Sequence, residues 1–177
     1  MLESSDFLNN QAIELTSRGN FAEAIACYKR ALTIDRENSL LWFNMGITYQ
    51  KQGDLNGAKR ALATALKLNP DDEESIEQLA IVCLERKEFM EATQHCQTGL
   101  DQNPTNAHLW NTLGVIFFNQ EEYDLASESF ERAVSINPYY YDALYNLRDS
   151  YSELGNTAGA QDCQERLSKL KEPKEDL

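Results

Sequence analysis

Apolar residues fall along this chain at helical spacing, in pairs of short stretches separated by turn residues. Between 39 and 52 the stripe is Trp42, Met45, Gly46 and Tyr49, an i, i+3, i+4, i+7 pattern that predicts an amphipathic helix. Gly53-Asp54 interrupts it, with Asp54 placed to cap a second helix. That helix presents Leu55, Ala58, Leu62, Ala65 and Leu66 on one face. Asn69-Pro70 stops it, because proline cannot continue a helix and pushes the residue before it out of the helical region. Asp71, Asp72, Glu73 and Glu74 follow, well placed at the positive end of the next helix.

The same helix pair recurs. Asn-Pro occurs at Asn69-Pro70, Asn103-Pro104 and Asn137-Pro138, each step 34 residues. Trp42 and Trp110, like Gly46 and Gly114, are two such steps apart. Alanine returns at Ala24, Ala58, Ala92, Ala126 and Ala160. The frame gives repeats 5–38, 39–72, 73–106, 107–140 and 141–174, read as a single domain over 1–177. The turn recurs as Gly19-Asn20 and Gly155-Asn156 and is replaced by Lys87-Glu88 and Glu121-Glu122 in the middle repeats. Gly46 and Gly114 are expected to face Ala58 and Ala126, letting the paired helices approach closely. One hairpin cannot bury its apolar face alone, so neighbours must stack.

The residues resemble the tetratricopeptide repeat. Trp42-Phe-Asn-Met-Gly46-Ile-Thr-Tyr49 with Ala58, Leu62, Ala65 and Pro70 follows its pattern, as does Trp110-Asn-Thr-Leu-Gly114-Val-Ile-Phe117 with Ala126, Phe130, Ala133 and Pro138. The resemblance implies an all-α fold, a right-handed α-solenoid of five helix-turn-helix hairpins that binds partner segments in a concave groove. Departures gather at the ends. Gln11, Ala12 and Arg36 break the pattern in the first repeat, and Arg148, Gln164 and Leu167 in the last. Residues 157–170, with Gln161, Asp162, Gln164 and Glu165, read as a capping helix with a polar outer face. Arg148 opposite Ala160 should widen the last hairpin unless its stem lies along the surface.

The family's geometry puts the first helix of each repeat on the concave face. Apolar Phe43, Ile47, Ile81, Leu84, Val115 and Phe118 project there. Packing between neighbouring helices accounts for Ile47, Ile81 and Val115 as well as binding does, whereas Phe43 and Phe118 favour binding. Asn10, Asn44 and Asn146 share one column with Gln78 and Thr112. That column is similar to the asparagine ladder of the O-linked N-acetylglucosamine transferase repeats, whose amides offer a peptide both donor and acceptor. The carboxylate clamp of chaperone-binding repeats is not matched: its places hold Asn9, Ile13, Asn44, Glu74 and Gln78, and only Asn44 fits. Tyr139, Tyr140, Tyr141 and Tyr145 cluster at the last junction. The expected groove is therefore His108, Phe118, Asn119, Tyr145 and Asn146, with Asn10, Phe43, Asn44, Ile47, Gln78 and Leu84 as further contacts. Lateral packing of Tyr140 is the competing expectation for that residue.

Charge narrows the partner. With 16 Lys+Arg against 29 Asp+Glu, the net charge is −13, which disfavours nucleic acid and anionic membrane surfaces. Glu74, Glu77, Glu85, Asp149 and Glu153 on the groove favour a neutral-to-basic peptide with apolar anchors. Self-assembly of a scaffold is the alternative, as is a repeat domain cut from a larger protein. No nucleotide-binding or zinc-protease motif occurs, and paired carboxylates such as Glu73/Glu74 and Glu121/Glu122 fall at helix starts and turns where solvation explains them, so the reading is a non-enzymatic binder without cofactor or metal. Cys27, Cys83, Cys96 and Cys163 lack metal-site spacing and read as free thiols, with a Cys83–Cys96 bridge the lesser possibility. Met1 to Asp6 has no signal-peptide pattern, which points to the cytoplasm.

Overall fold

The computed structural model describes residues 4–171. Ten helices form among them, and no strand. The first helices of the repeats are α1 (Ser5–Ser17), α3 (Ser39–Gln52), α5 (Glu73–Glu85), α7 (Ala107–Asn119) and α9 (Tyr141–Glu153). The second helices are α2 (Phe21–Ile34), α4 (Leu55–Leu68), α6 (Phe89–Gln102), α8 (Tyr123–Ile136) and α10 (Thr157–Lys171). Every helix starts 34 residues after its counterpart. Residues 172–174 of the last expected repeat lie outside the described residues. No helix among the described residues is long and apolar enough to cross a membrane.

Local chemistry fixes these boundaries. Ser4, Asn38, Asp72 and Asn106 each accept a hydrogen bond from the backbone N–H three residues on, satisfying an orphan donor at the start of a first helix. Asp54 caps α4 in the same way through Gly57 N at 2.8 Å. In the first repeat Arg36 replaces the proline, yet α2 ends at the equivalent residue. There Asn38 Nδ2 donates to Asp35 Oδ2 at 2.9 Å, closing the turn with side chains instead. The turns between paired helices use the left-handed region at Gly19, Gly53 and Gly155, with φ of 81°, 87° and 70°. Lys87 and Glu121 occupy the same place at 61° and 63°.

The helices form two compact units, Met1–Glu88 and Phe89–Leu177, so α5 belongs to the first and α6 to the second. In the first unit successive helices from α1 to α5 pack in order, and α3 also touches both α1 and α5. Its core gathers Leu8, Ala12, Ala24, Tyr28, Leu41 and Met45, with Trp42 and Tyr49 packed against it. Tyr28 is buried beside the Thr16 and Thr48 hydroxyls, which lie 2.9 Å apart. At the end of the unit Arg86 and Lys59 each reach Glu88 at 2.8 Å and hold its carboxyl down at about 2. In the second unit α6 to α10 pack in order and α7 touches α9. Its core holds Ala126, Phe130, Ala133, Leu144, Cys163 and Leu167.

The close helix approach differs in detail from the sequence expectation. A Cβ on Gly46 would lie 2.7 Å from Leu62 Cγ, and one on Gly114 would lie 2.5 Å from Phe130 Cε1. The glycines thus make room for the large residues one turn beyond Ala58 and Ala126, while those alanines are themselves fully buried. In the last hairpin the same column holds Arg148 and Gln164, and the guanidinium donates to Gln164 Oε1 at 3.0 Å. Arg148 is half-buried, and this side-chain hydrogen bond joins the two helices of the last hairpin. The cap reads as expected: Cys163 and Leu167 of α10 are buried while Gln161, Asp162, Gln164 and Glu165 are exposed. All four cysteines are free and buried, which leaves the Cys83–Cys96 bridge unformed.

Candidate functional site

In the first unit the shared face of α1, α3 and α5 carries Asn10, Phe43, Asn44, Ile47, Gln78 and Leu84. Asn10 is exposed and the other five are half-buried. Between them stand apolar side chains that the packing leaves in water, Ile13 at 46% exposure and Leu40 at 54%. Polar bridges join the helices beside these residues. Asn44 Nδ2 donates to Asn9 Oδ1 at 3.0 Å, tying α3 to α1. Gln50 Nε2 donates to Glu85 Oε1 at 2.8 Å, tying α3 to α5. The asparagine column therefore works first as a stitch between repeats, with the Asn44 amide N–H group turned to Asn9.

The second unit repeats the stitch, since Asn146 Nδ2 donates to Asn111 Oδ1 at 3.1 Å between α9 and α7. Other expected groove residues there are engaged within the unit. His108 Nδ1 lies 3.0 Å from the Tyr140 hydroxyl, with ring centroids 4.9 Å apart. Tyr140 thus packs laterally, on α7, the first helix of its own repeat. Phe118 packs against the core and meets Tyr123 edge-on at 5.2 Å. Asn119 Nδ2 donates to its own helix at Val115 O. Tyr145 is 42% exposed, but the Arg148 guanidinium stacks 4.1 Å from its ring centroid. Most of these residues are thus already paired within the unit.

Two features escape a reading by columns. Asn9 and Asn111, the acceptors of the two stitches, stand one residue before the asparagine column and signal nothing alone. Phe7 is 58% exposed, although its register position holds buried Leu41, Ser75, Leu109 and Ala143 in the following repeats. That comparison across repeats was the available signal for Phe7. Chemically the face offers apolar contact and amide hydrogen bonding.

Tetratricopeptide-repeat models match residues 12–53, 50–116 and 107–140. The chain is 28% identical to the human protein O-mannosyl-transferase TMTC3 across 94% of its own length, and it spans 20% of that relative. It superimposes on MamA 41-end from Desulfovibrio magneticus RS-1 with a TM-score of 0.84 at 19% identity, covering 97% of both chains. On YrrB, described as a TPR protein with an unusual peptide-binding site, the TM-score is 0.71 at 21% identity, covering 93% of this chain and 84% of that one. With ten helices at a 34-residue period among the described residues and repeat models matching across 12–140, the chain belongs to the tetratricopeptide-repeat family.

Proposed function

We propose that the protein is a non-enzymatic interaction module that takes a peptide segment of a partner across the face of its first helices. The observation that carries this reading is the apolar surface left in water on α1 and α3, Ile13 and Leu40, beside half-buried Phe43 and Ile47. Hairpin packing leaves about half of each of those two side chains uncovered. Asn10, Asn44, Gln78 and Leu84 complete this patch, and His108, Phe118, Asn119, Tyr145 and Asn146 form a second one. Glu74, Glu77 and Glu85 near the first patch suit a neutral-to-basic segment with apolar anchors. YrrB, a relative in fold with a peptide-binding site, lends the reading support.

The test is selection of binders from a random peptide library, followed by titration of the selected peptides. Ile13→Glu with Leu40→Glu, both at exposed positions, should abolish binding while the helical spectrum is unchanged. Phe118→Ala, Tyr145→Ala, Asn146→Ala together should weaken it if the second patch contributes. Selected peptides that bind both variants as well as the parent protein would refute the reading. End-to-end self-association is a second reading, favoured by the exposed Phe7 at a position that a neighbouring hairpin covers elsewhere. Light scattering that shows a strict monomer at high concentration would refute it.

A further inference from the structure

The other side of the first unit holds a cleft of about 740 Å³ between α2 and α4, floored by α3. Leu32, Trp42, Met45 and Tyr49 give it an apolar and aromatic base. Its charged lining is entirely positive: Lys29, Arg36 and Arg60, all exposed, with no carboxylate among the lining residues. None of these three cations has an ion-pair partner among the described residues. In a chain of net charge −13, three unpaired cations around one aromatic-floored cleft run against the general balance.

The repeat itself does not demand them. Three periods on, the equivalent residues of α8, α9 and α10 line a cleft of about 350 Å³ in the second unit. Tyr49 and Gly57 recur there as Tyr151 and Gly159, and each glycine lets a tyrosine ring lie against the helix. The charges are not kept. Lys29, Arg36 and Arg60 become Glu131, Pro138 and Asp162. In that second cleft Tyr151 donates its hydroxyl to Glu131 Oε1 at 2.6 Å, so the carboxylate has a structural partner. Lys29 stands at the equivalent place in the first cleft and forms no such contact. Packing therefore accounts for the cleft and its tyrosine, and leaves the cationic rim without a structural role.

We propose that this cleft is a second docking site, for a short acidic segment of a partner protein that carries one bulky apolar side chain between carboxylates. The volume lies within the ~300–1,000 Å³ of ordinary ligand sites and admits a few side chains, not a domain. The apolar anchor would rest on Trp42 and Tyr49, and Lys29, Arg36 and Arg60 would meet the flanking carboxylates, with the arginines able to engage them in bidentate fashion. The site lies on α2 and α4, away from the face of the first helices, and has the opposite charge preference.

The probe is a labelled, end-blocked peptide, Asp-Glu-Asp-Phe-Asp-Glu, read by fluorescence anisotropy and by the emission of Trp42 in a Trp110→Phe background. Saturable binding is expected. It should weaken on raising salt from about 0.1 to 1 M, which cuts the screening length from roughly 10 to 3 Å. Arg36→Glu with Arg60→Glu should weaken it by about tenfold, since two modest attractions become repulsions. Leu40→Glu on the other face should leave it unchanged, so this site and the first-helix face stand or fall separately. Anisotropy on the protein with both tryptophans intact gives the same readout should Trp110→Phe disturb the fold. No saturation below about 1 mM, equal binding of the lysine counterpart Lys-Lys-Lys-Phe-Lys-Lys, or indifference to the charge reversals would overturn the proposal. Self-association lost on charge reversal, in place of probe binding, would overturn the assigned occupant.

Discussion

Gly114→Ala tests the packing at the heart of the fourth hairpin. An added Cβ would stand 2.5, 2.6 and 2.8 Å from Phe130 Cε1, Cδ1 and Cζ. Those atoms belong to a rigid ring with no solvent exposure, so no flexible end can swing aside. Overpacking of this kind costs roughly 1–3 kcal/mol. Helix propensity works the other way, since alanine in a helix interior is favoured over glycine by about 1 kcal/mol. The clash involves three ring atoms at once, so it should win, leaving a net loss of up to about 2 kcal/mol. Urea denaturation followed by circular dichroism and by tryptophan emission measures the loss, and coincidence of the two probes checks that unfolding is cooperative. Phe130→Val removes the three atoms from the contact. In that background Gly114→Ala should be neutral or stabilising, a coupling of about 1–3 kcal/mol across the cycle. If Gly114→Ala stabilises the parent protein, or has the same effect in both backgrounds, the close approach is not what holds this pair.

Ala126→Leu, at a fully buried site, should cost roughly 1–3 kcal/mol. Ala160→Leu, at a half-buried site in the last hairpin, should cost less by the same assay. Glu121→Gly and Lys87→Gly should each stabilise by about 0.5–1 kcal/mol in thermal melts, because both residues hold a left-handed conformation that glycine adopts freely. Burial raises the Tyr28 hydroxyl above its ordinary value of 10.0, so the folded state holds this proton more tightly than the unfolded state. That contribution is complete below pH 10.0 and is lost as pH rises from there through the raised folded value. Tyr28→Phe should therefore flatten the alkaline limb of a stability-versus-pH profile.

The helix boundaries were legible because each is set within a few residues of sequence. Asp54, Asp72 and Asn106 cap by reaching three residues forward, and the repeat shows each signal several times. The first repeat shows why a missing signal did not mislead: Asp35 and Asn38 close the turn that Pro70 and Pro104 close elsewhere. Surface chemistry was less legible, because a column records where a side chain points and not what it meets. Asn44 and Asn146 point as expected, and each donates to the asparagine of the preceding repeat. Phe118 is drawn against the core, and Tyr145 lies beneath Arg148. These outcomes depend on partners 3 to 35 residues away whose identity the column does not carry.

Repetition itself supplies the control that a single fold lacks. Where a residue type recurs at one register position, packing is a sufficient reason for it, as with Tyr49 and Tyr151 over Gly57 and Gly159. Where the backbone position recurs and the charge reverses, packing cannot be the reason. Lys29 against Glu131 and Arg60 against Asp162 are such pairs, within clefts built from the same helix positions. Phe7 against Leu41 and Leu109 is the corresponding case for burial, an aromatic ring held in water at a position that is otherwise covered. In a repeat protein the surface residues that break register without a local partner are therefore the ones to test first for binding. By that criterion Phe7, Lys29 and Arg60 rank ahead of the asparagine column, whose amides already have one another.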